Sequence, residues 1–374
     1  MGAGRGGALR AGPAASPPPR LLGVRGSGAL GPLPRTDPKG CHAGWRVPRD
    51  RPQAGDPGLL PQLSGEVRVR SAVVVLAIFL AGCGLQGSQA RIAVVASFYP
   101  LYEFARQVGG PRVEVRQLVP YGVSPHDFEP RPADVALLGR ARVFVYNGAG
   151  LEPWVARLVA AELPADAVRV EATEGLPLLR SQAERQHPEG DGHKEKQAGT
   201  LDPHVWLDPV LAQGMVRNVT QGLVRADPPG AREYLERSRR LIRRLQELHG
   251  RYAQALRRCR SRVIITSHAA FGYLTRRYGL HWESVAGLAP EAEPSPRRLR
   301  ELVELGRRER VQAVYAETLG GRPIMEGLAQ DVGARVLVLD PLEGLSEADL
   351  QRGRDYFSVM EENLRQLVDG LGCR

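Results

Sequence analysis

The chain has 374 residues, 43% hydrophobic and 25% charged, the composition of a soluble globular protein with room for two domains. Of the formal net charge of +10, +7 sits in residues 1 to 82, which hold 11 Lys and Arg against 4 Asp and Glu, leaving +3 for the rest. So nearly balanced a body gives no reason to expect nucleic acid as a partner, despite an overall pI of about 9.8.

Residues 1–65 are crowded with Gly, Pro, Ala and Arg, carry no apolar period, and read as a disordered leader or as sequence outside the true reading frame start. Arg68 and Arg70 then precede an apolar run from Ala72 to Leu80 and the tetrad Leu80-Ala81-Gly82-Cys83, the order of a secretory signal with a short hydrophobic region. Leu-Ala-Gly-Cys resembles the lipobox of bacterial lipoproteins, which implies cleavage before Cys83 and acylation of its sulfur; the alternative is an ordinary signal peptide with an incidental cysteine. Residues 83–90 read as a polar tether. Of the other cysteines, Cys259 and Cys373 are able to pair outside the cytoplasm, but sequence does not supply their separation.

From Arg91 onward strands and helices alternate. Runs at "RIAVVAS", "VEVRQLV", "RVFVYN" and "AVRVE", separated by helical segments near Tyr102–Val108, Ala133–Leu138 and Pro153–Ala161, predict a first parallel-sheet lobe over residues 91–229. Within it Arg180 to Thr200 is polar and aperiodic, a loop carrying His187 and His193. Helices are expected at Pro209–Arg225 and, after "DPPG", at about Ala231–Cys259. The latter has apolar positions Tyr234, Leu235, Leu241, Ile242, Leu245, Leu248 and Tyr252 at helical spacing, and residues 230–259 suit a stiff linker. A second lobe over 260–374 follows from "RVIITS", "HWESVAG", "VQAVYAE" and "RVLVLD", with helices near Phe271–Tyr278, Pro296–Arg308, Pro323–Asp331 and Arg352–Gly370.

Three of the eight histidines sit in matching contexts: His126 in "SPHDFEP", His204 in "DPHVWLD" and His268 in "TSHAAFGY", each in a loop or just beyond a strand. Such positions hold ligands in open α/β sheets, although each histidine taken alone reads first as a satisfied loop or core residue. The segments "SPHDFEPRPADVALLGRARVFVYNGAGLEPW", "DPHVWLDP", "TSHAAFGYLTRRYGL" and "VLDPLEG" together resemble, in order, the motifs of the extracytoplasmic solute-binding proteins of zinc and manganese ABC importers. The resemblance runs from about Arg91 to the C-terminus. It implies an α/β protein of two Rossmann-like lobes with mostly parallel sheets, joined by a long rigid helix, with a metal in the interlobe cleft.

By that resemblance the metal ligands are His126, His204, His268 and Asp340, the last ending "RVLVL" much as His268 follows "RVIIT". Three neutral imidazoles and one carboxylate suit tetrahedral Zn²⁺. A glutamate stands in place of His268 in members that take manganese, so histidine favours Zn²⁺ over Mn²⁺. Glu317, ending "VQAVYA", is either an acceptor behind a metal-bound imidazole or an ordinary surface or helix-start acid. His187 and His193 mark either an accessory metal loop or a solvated one. The implied partner is the membrane permease of an ABC importer, served by a monomeric, lipid-anchored, extracytoplasmic protein. A manganese-binding protein or adhesin of the same fold and a zinc hydrolase are the alternatives; the chain has neither HExxH nor GxSxG, and a fourth protein ligand closes the position that water activation needs.

Overall fold

The computed structural model describes residues 91–181, 200–288 and 294–374. The expected signal segment, Cys83, the tether, His187 and His193 lie outside the described residues. No helix among the described residues is long and apolar enough to cross a membrane.

All eight expected strands form. The first sheet contains β1 (Ile92–Ala96), β2 (Val113–Gln117), β3 (Val143–Tyr146) and β4 (Val168–Glu171) in the order β2-β1-β3-β4. The second contains β5 (Val263–Thr266), β6 (His281–Ser284), β7 (Ala313–Ala316) and β8 (Arg335–Val338) in the order β6-β5-β7-β8. Every pairing is parallel, which requires crossovers and so accounts for the alternating helices. β5 and β7 are buried at every residue, as expected of central strands written in Val, Ile, Ala, Thr and Tyr. In both sheets the connections leave in opposite directions from adjacent strands, β1 and β3 in the first and β5 and β7 in the second. The crevice beyond the carboxyl ends of such a strand pair is where open α/β sheets bind ligands.

The first lobe carries α1 (Tyr99–Gly109), α2 (Pro132–Leu138), α3 (Val155–Glu162) and α4 (Pro209–Ala226). The start of α4 is set locally: Pro209 occupies the first turn, and the Asp208 side chain accepts from the Val210 N–H. After Pro228-Pro229-Gly230 the chain enters α5 (Ala231–Ala255), whose buried residues Tyr234, Ser238, Leu241, Leu245, Leu248 and Tyr252 fall on one stripe spaced alternately four and three. That stripe packs on α1 and α4 of the first lobe and on α10 (Tyr356–Leu371) of the second. Leu235 falls off the stripe and is exposed. The second lobe also holds α6 (Gly272–Tyr278), α7 (Pro296–Arg308), α8 (Arg322–Val332) and the short α9 (Glu347–Gln351).

One apolar core runs without interruption from Val94 and Phe104 in the first lobe, through Leu245 and Tyr252 of α5, to Tyr315 and Tyr356 in the second. A smaller core around Ile265, Leu302, Val314 and Met325 lies between the second sheet and its outer helices. The described residues fall within one compact unit.

A disulfide joins Cys259, just past α5, to Cys373, just past α10. It also explains why α5 ends at Ala255 and not at Cys259: the backbone there leaves the helix to bridge the C-terminal segment. The bond closes a loop of sequence separation 114, so it removes much freedom from the unfolded chain. Replacing both cysteines by serine is expected to lower the unfolding free energy by about 2–5 kcal/mol. Urea titration of the metal-free protein checks this, and an unchanged midpoint would show that the cross-link contributes nothing.

Candidate metal centre

Four side chains from four loops converge where the lobes meet. His126 stands in the loop between β2 and α2, and His204 immediately before the 3-10 turn Val205–Leu207 that leads into α4. His268 lies two residues beyond β5, and Glu343 five residues beyond β8. One atom from each lies within 4.8 Å of all the others. His126 Nε2 is 3.2 Å from His204 Nε2 and 3.5 Å from Glu343 Oε1. Glu343 Oε1 is in turn 3.4 Å from His204 Nε2 and 3.1 Å from His268 Nε2.

A tetrahedral ion with bonds of about 2.0–2.1 Å sets its ligand atoms roughly 3.3 Å apart, so these separations suit such an ion. Two of the converging atoms, His268 Nε2 and Glu343 Oε1, are buried and lack any hydrogen-bond partner among the described residues. Buried polar atoms of this kind ordinarily have partners. The side chains of His204, His268 and Glu343 are 0%, 1% and 2% exposed, whereas that of His126 is 12% exposed.

Carboxylates behind two of the rings determine which nitrogen faces inward. His204 Nδ1 donates to Asp202 Oδ1 at 2.8 Å, and the same oxygen accepts from the His204 backbone N–H at 3.0 Å. His268 Nδ1 donates to Glu317 Oε2, and Glu317 Oε1 accepts from the His268 backbone N–H at 3.0 Å. Each carboxylate thus fixes tautomer and ring plane and leaves Nε2 free for an ion. Glu317 follows β7 directly, next to β5, so the second sheet's switch point presents His268 together with its orienting acid. Gly272, at the start of α6, lets Asp202 come close: a Cβ there would stand 2.6 Å from Asp202 Oδ2.

Charge is balanced inside the group. Burial pushes the His268 imidazolium down, but Glu317 and then Glu343 outweigh it and raise its pKa to about 10. Burial likewise opposes charge on His204, and Asp202 with Glu343 reverses the effect. Burial would raise Glu343, but the three histidines around it hold its carboxyl well below the usual range.

Other contacts lock the loops across the cleft. Trp206 Nε1 donates to the Pro341 carbonyl at 2.8 Å, and the Tyr356 hydroxyl donates to the Trp206 carbonyl at 2.6 Å. The Tyr273 hydroxyl donates to the Asp202 carbonyl at 2.7 Å and accepts from the Leu179 N–H at 2.9 Å. Beneath the first lobe's face, buried Glu152 accepts from Ser97 Oγ at 2.6 Å and from the Asn147 N–H at 2.8 Å, while Asn147 Nδ2 donates to the Pro203 carbonyl at 2.9 Å. The two strand ends β1 and β3 thereby hold the loop that carries His204.

The three expected histidines come together, and Glu317 lies against His268. Asp340 does not join them. Its carboxylate turns into its own loop, where Oδ1 accepts from the Leu342 N–H at 2.8 Å, and Glu343, three residues on, occupies the fourth position. Glu343 stands in the same "LDPLEG" segment between Pro341 and Gly344, but nothing in that segment sets it above Asp340 as the ligand. Phe128 and Trp206 pack near the group and offer it no polar atom; Phe271 is fully buried core.

Removing either orienting acid should loosen a ligand without deleting it. Asp202→Asn and Glu317→Gln are each expected to weaken Zn²⁺ binding about 10- to 100-fold, read by competition titration. Parental affinity in both would leave the two carboxylates with no role beyond packing.

The profile of the family "Zinc-uptake complex component A periplasmic" (ZnuA) matches residues 94–370. The high-affinity zinc uptake system protein ZnuA of Bacillus subtilis is 36% identical over 307 residues, covering 80% of this chain and 96% of that protein. The zinc-binding lipoprotein AdcA of Streptococcus pneumoniae is 36% identical over 293 residues; the match covers 78% of this chain and spans only 58% of AdcA. The Zn(II)-bound ZnuA-like domain of the same AdcA superposes with a TM-score of 0.64 at 33% identity, over 75% of this chain and 99% of that domain. With the profile running from β1 almost to the end of α10, the chain belongs to the ZnuA family of zinc-uptake components.

Proposed function

We propose that this protein captures Zn²⁺ outside the cytoplasm through His126, His204, His268 and Glu343 and hands it to the permease of a membrane ABC importer. The observation that carries this reading is the buried His₃Glu group, its separations suited to a tetrahedral ion, in a chain of the zinc-uptake family. Zn²⁺ with three neutral imidazoles and one carboxylate leaves a net charge of about +1, and borderline-soft nitrogen donors favour it over Mn²⁺. Four protein ligands leave no position for an activated water, which supports binding and release over hydrolysis.

The supporting experiment is metal analysis of protein prepared from residue 84 onward, followed by competition titration with a chelator. One equivalent of Zn²⁺, with Mn²⁺ bound far more weakly, is the expected result. The continuous core does not pass through the metal, so the chelated protein is expected to keep its circular dichroism; unfolding on chelation would make the ion structural.

The Cys259–Cys373 disulfide fits an oxidising compartment. Cleavage at Gly82 and acylation of Cys83 would tether a monomer to the membrane surface. Mass spectrometry of the mature protein is expected to find an N-terminal acylated Cys83, and an unmodified chain starting elsewhere would remove the anchor from this account.

A further inference from the structure

The segment Asp340-Pro341-Leu342-Glu343-Gly344 must turn a buried strand end into a ligand within a few residues. Leu342 adopts φ of +57°, the left-handed region that favours glycine, with its side chain fully buried. Nothing in a leucine prefers that conformation, so the surroundings must impose it. Asp340 Oδ1 accepts from the Leu342 N–H at 2.8 Å, closing a side-chain-capped turn over Pro341. Asn363, on the buried face of α10, holds the same residue from the other side: its Oδ1 accepts from the Asp340 N–H at 2.8 Å and its Nδ2 donates to the Asp340 carbonyl at 2.7 Å. Neither side chain belongs to the group of four converging residues.

We infer that Asp340 and Asn363 are positioning residues, which hold Leu342 left-handed and thereby aim Glu343 Oε1 at the three imidazoles. The inference rests on the proposed metal reading of the site. In this assignment the C-terminal helix sets the geometry of the fourth ligand without touching the ion. Loss of the clamp frees the loop, and Glu343 then reaches the ion only part of the time.

Zn²⁺ competition titration and the visible spectrum of the Co²⁺-substituted protein test this, since Co²⁺ absorbs strongly in four-coordinate tetrahedral sites and weakly once water expands the shell. Asp340→Ala and Asn363→Ala are expected to weaken Zn²⁺ about 10- to 100-fold and to reduce the Co²⁺ bands, as is Glu343→Gln. The conservative Asp340→Asn keeps an oxygen for the Leu342 N–H and is expected to restore the spectrum and bring affinity to within about threefold of the parent. Parental affinity and spectrum in Asn363→Ala would overturn the inference, even if Asp340→Ala failed to fold. A loss in Asp340→Asn as complete as in Glu343→Gln would also overturn it, by making Asp340 itself a ligand. If the parent binds neither ion, the metal reading falls first and takes this one with it; a parent with a tetrahedral spectrum and indifferent variants sinks only the clamp.

Discussion

His268→Ala is expected to weaken Zn²⁺ binding by on the order of a hundredfold to a thousandfold while the fold is retained. Structural zinc sites bind with about 10–16 kcal/mol, and one ligand's share of that is roughly 3–4 kcal/mol. The fold should survive because His268 lies beyond the hydrogen-bonded part of β5, and α6 starts without using its side chain. Competition titration checks the affinity, and a variant that binds as tightly as the parent would return His268 to the status of a buried loop residue. His268→Glu is a different experiment. It keeps four ligands and lowers the site's net charge from about +1 to about 0, which should move preference towards harder ions such as Mn²⁺. The structure adds a condition, because Nδ1 of His268 faces Glu317, and a glutamate at 268 would bring a second carboxylate against that acid. The shift towards Mn²⁺ is therefore expected in His268→Glu combined with Glu317→Gln, and only weakly in the single variant.

Glu343→Ala should have an effect of comparable size. It removes the anion of the group and leaves three imidazoles around an ion with a vacant coordination position, which water will fill. Zn²⁺ affinity is expected to fall by on the order of a hundredfold, with selectivity over Co²⁺ and Ni²⁺ eroded as the closed four-coordinate shell opens. A further cost comes from Ser124, whose hydroxyl donates to Glu343 Oε2 at 3.3 Å across the lobes and would lose that acceptor. Unchanged affinity would mean that the carboxylate merely balances charge among the histidines.

Much of this architecture was legible before any coordinates. Apart from β6, the strands are short, carry Val, Ile or Ala at their buried positions and are bounded by polar loops, the signature that parallel sheets produce. The α5 stripe was visible in its spacing, although Leu235 shows that apolar character alone does not assign a face. Position alone did not single out the three histidines; the ordered resemblance of the motifs around them to those of the metal-binding family did. Glu343 was not, for a physical reason: the rule that ligands follow strand ends points to Asp340, and the turn that carries the chain past it depends on a left-handed leucine. Leucine gives no signal of that conformation, and the asparagine that holds the turn lies 23 residues beyond Asp340. The short helix α9 escaped notice because five residues carry too little periodicity to stand out. The Cys259–Cys373 pairing needed the distance that only the fold supplies.

The unequal burial of the four converging side chains sets a direction for exchange. Three of them are sealed, and only His126 presents an edge to solvent, beside an open surface depression lined by Asp127, Phe128, Glu129 and Trp154. An incoming hydrated cation sheds its waters stepwise, and the first to be replaced is the one facing the accessible imidazole. Departure retraces the same path in reverse, so the sealed ligands let go first and the bond to His126 breaks last. The accessible edge is thereby where a competing chelator or acceptor first meets the ion, while the sealed remainder must release the ion before it can leave.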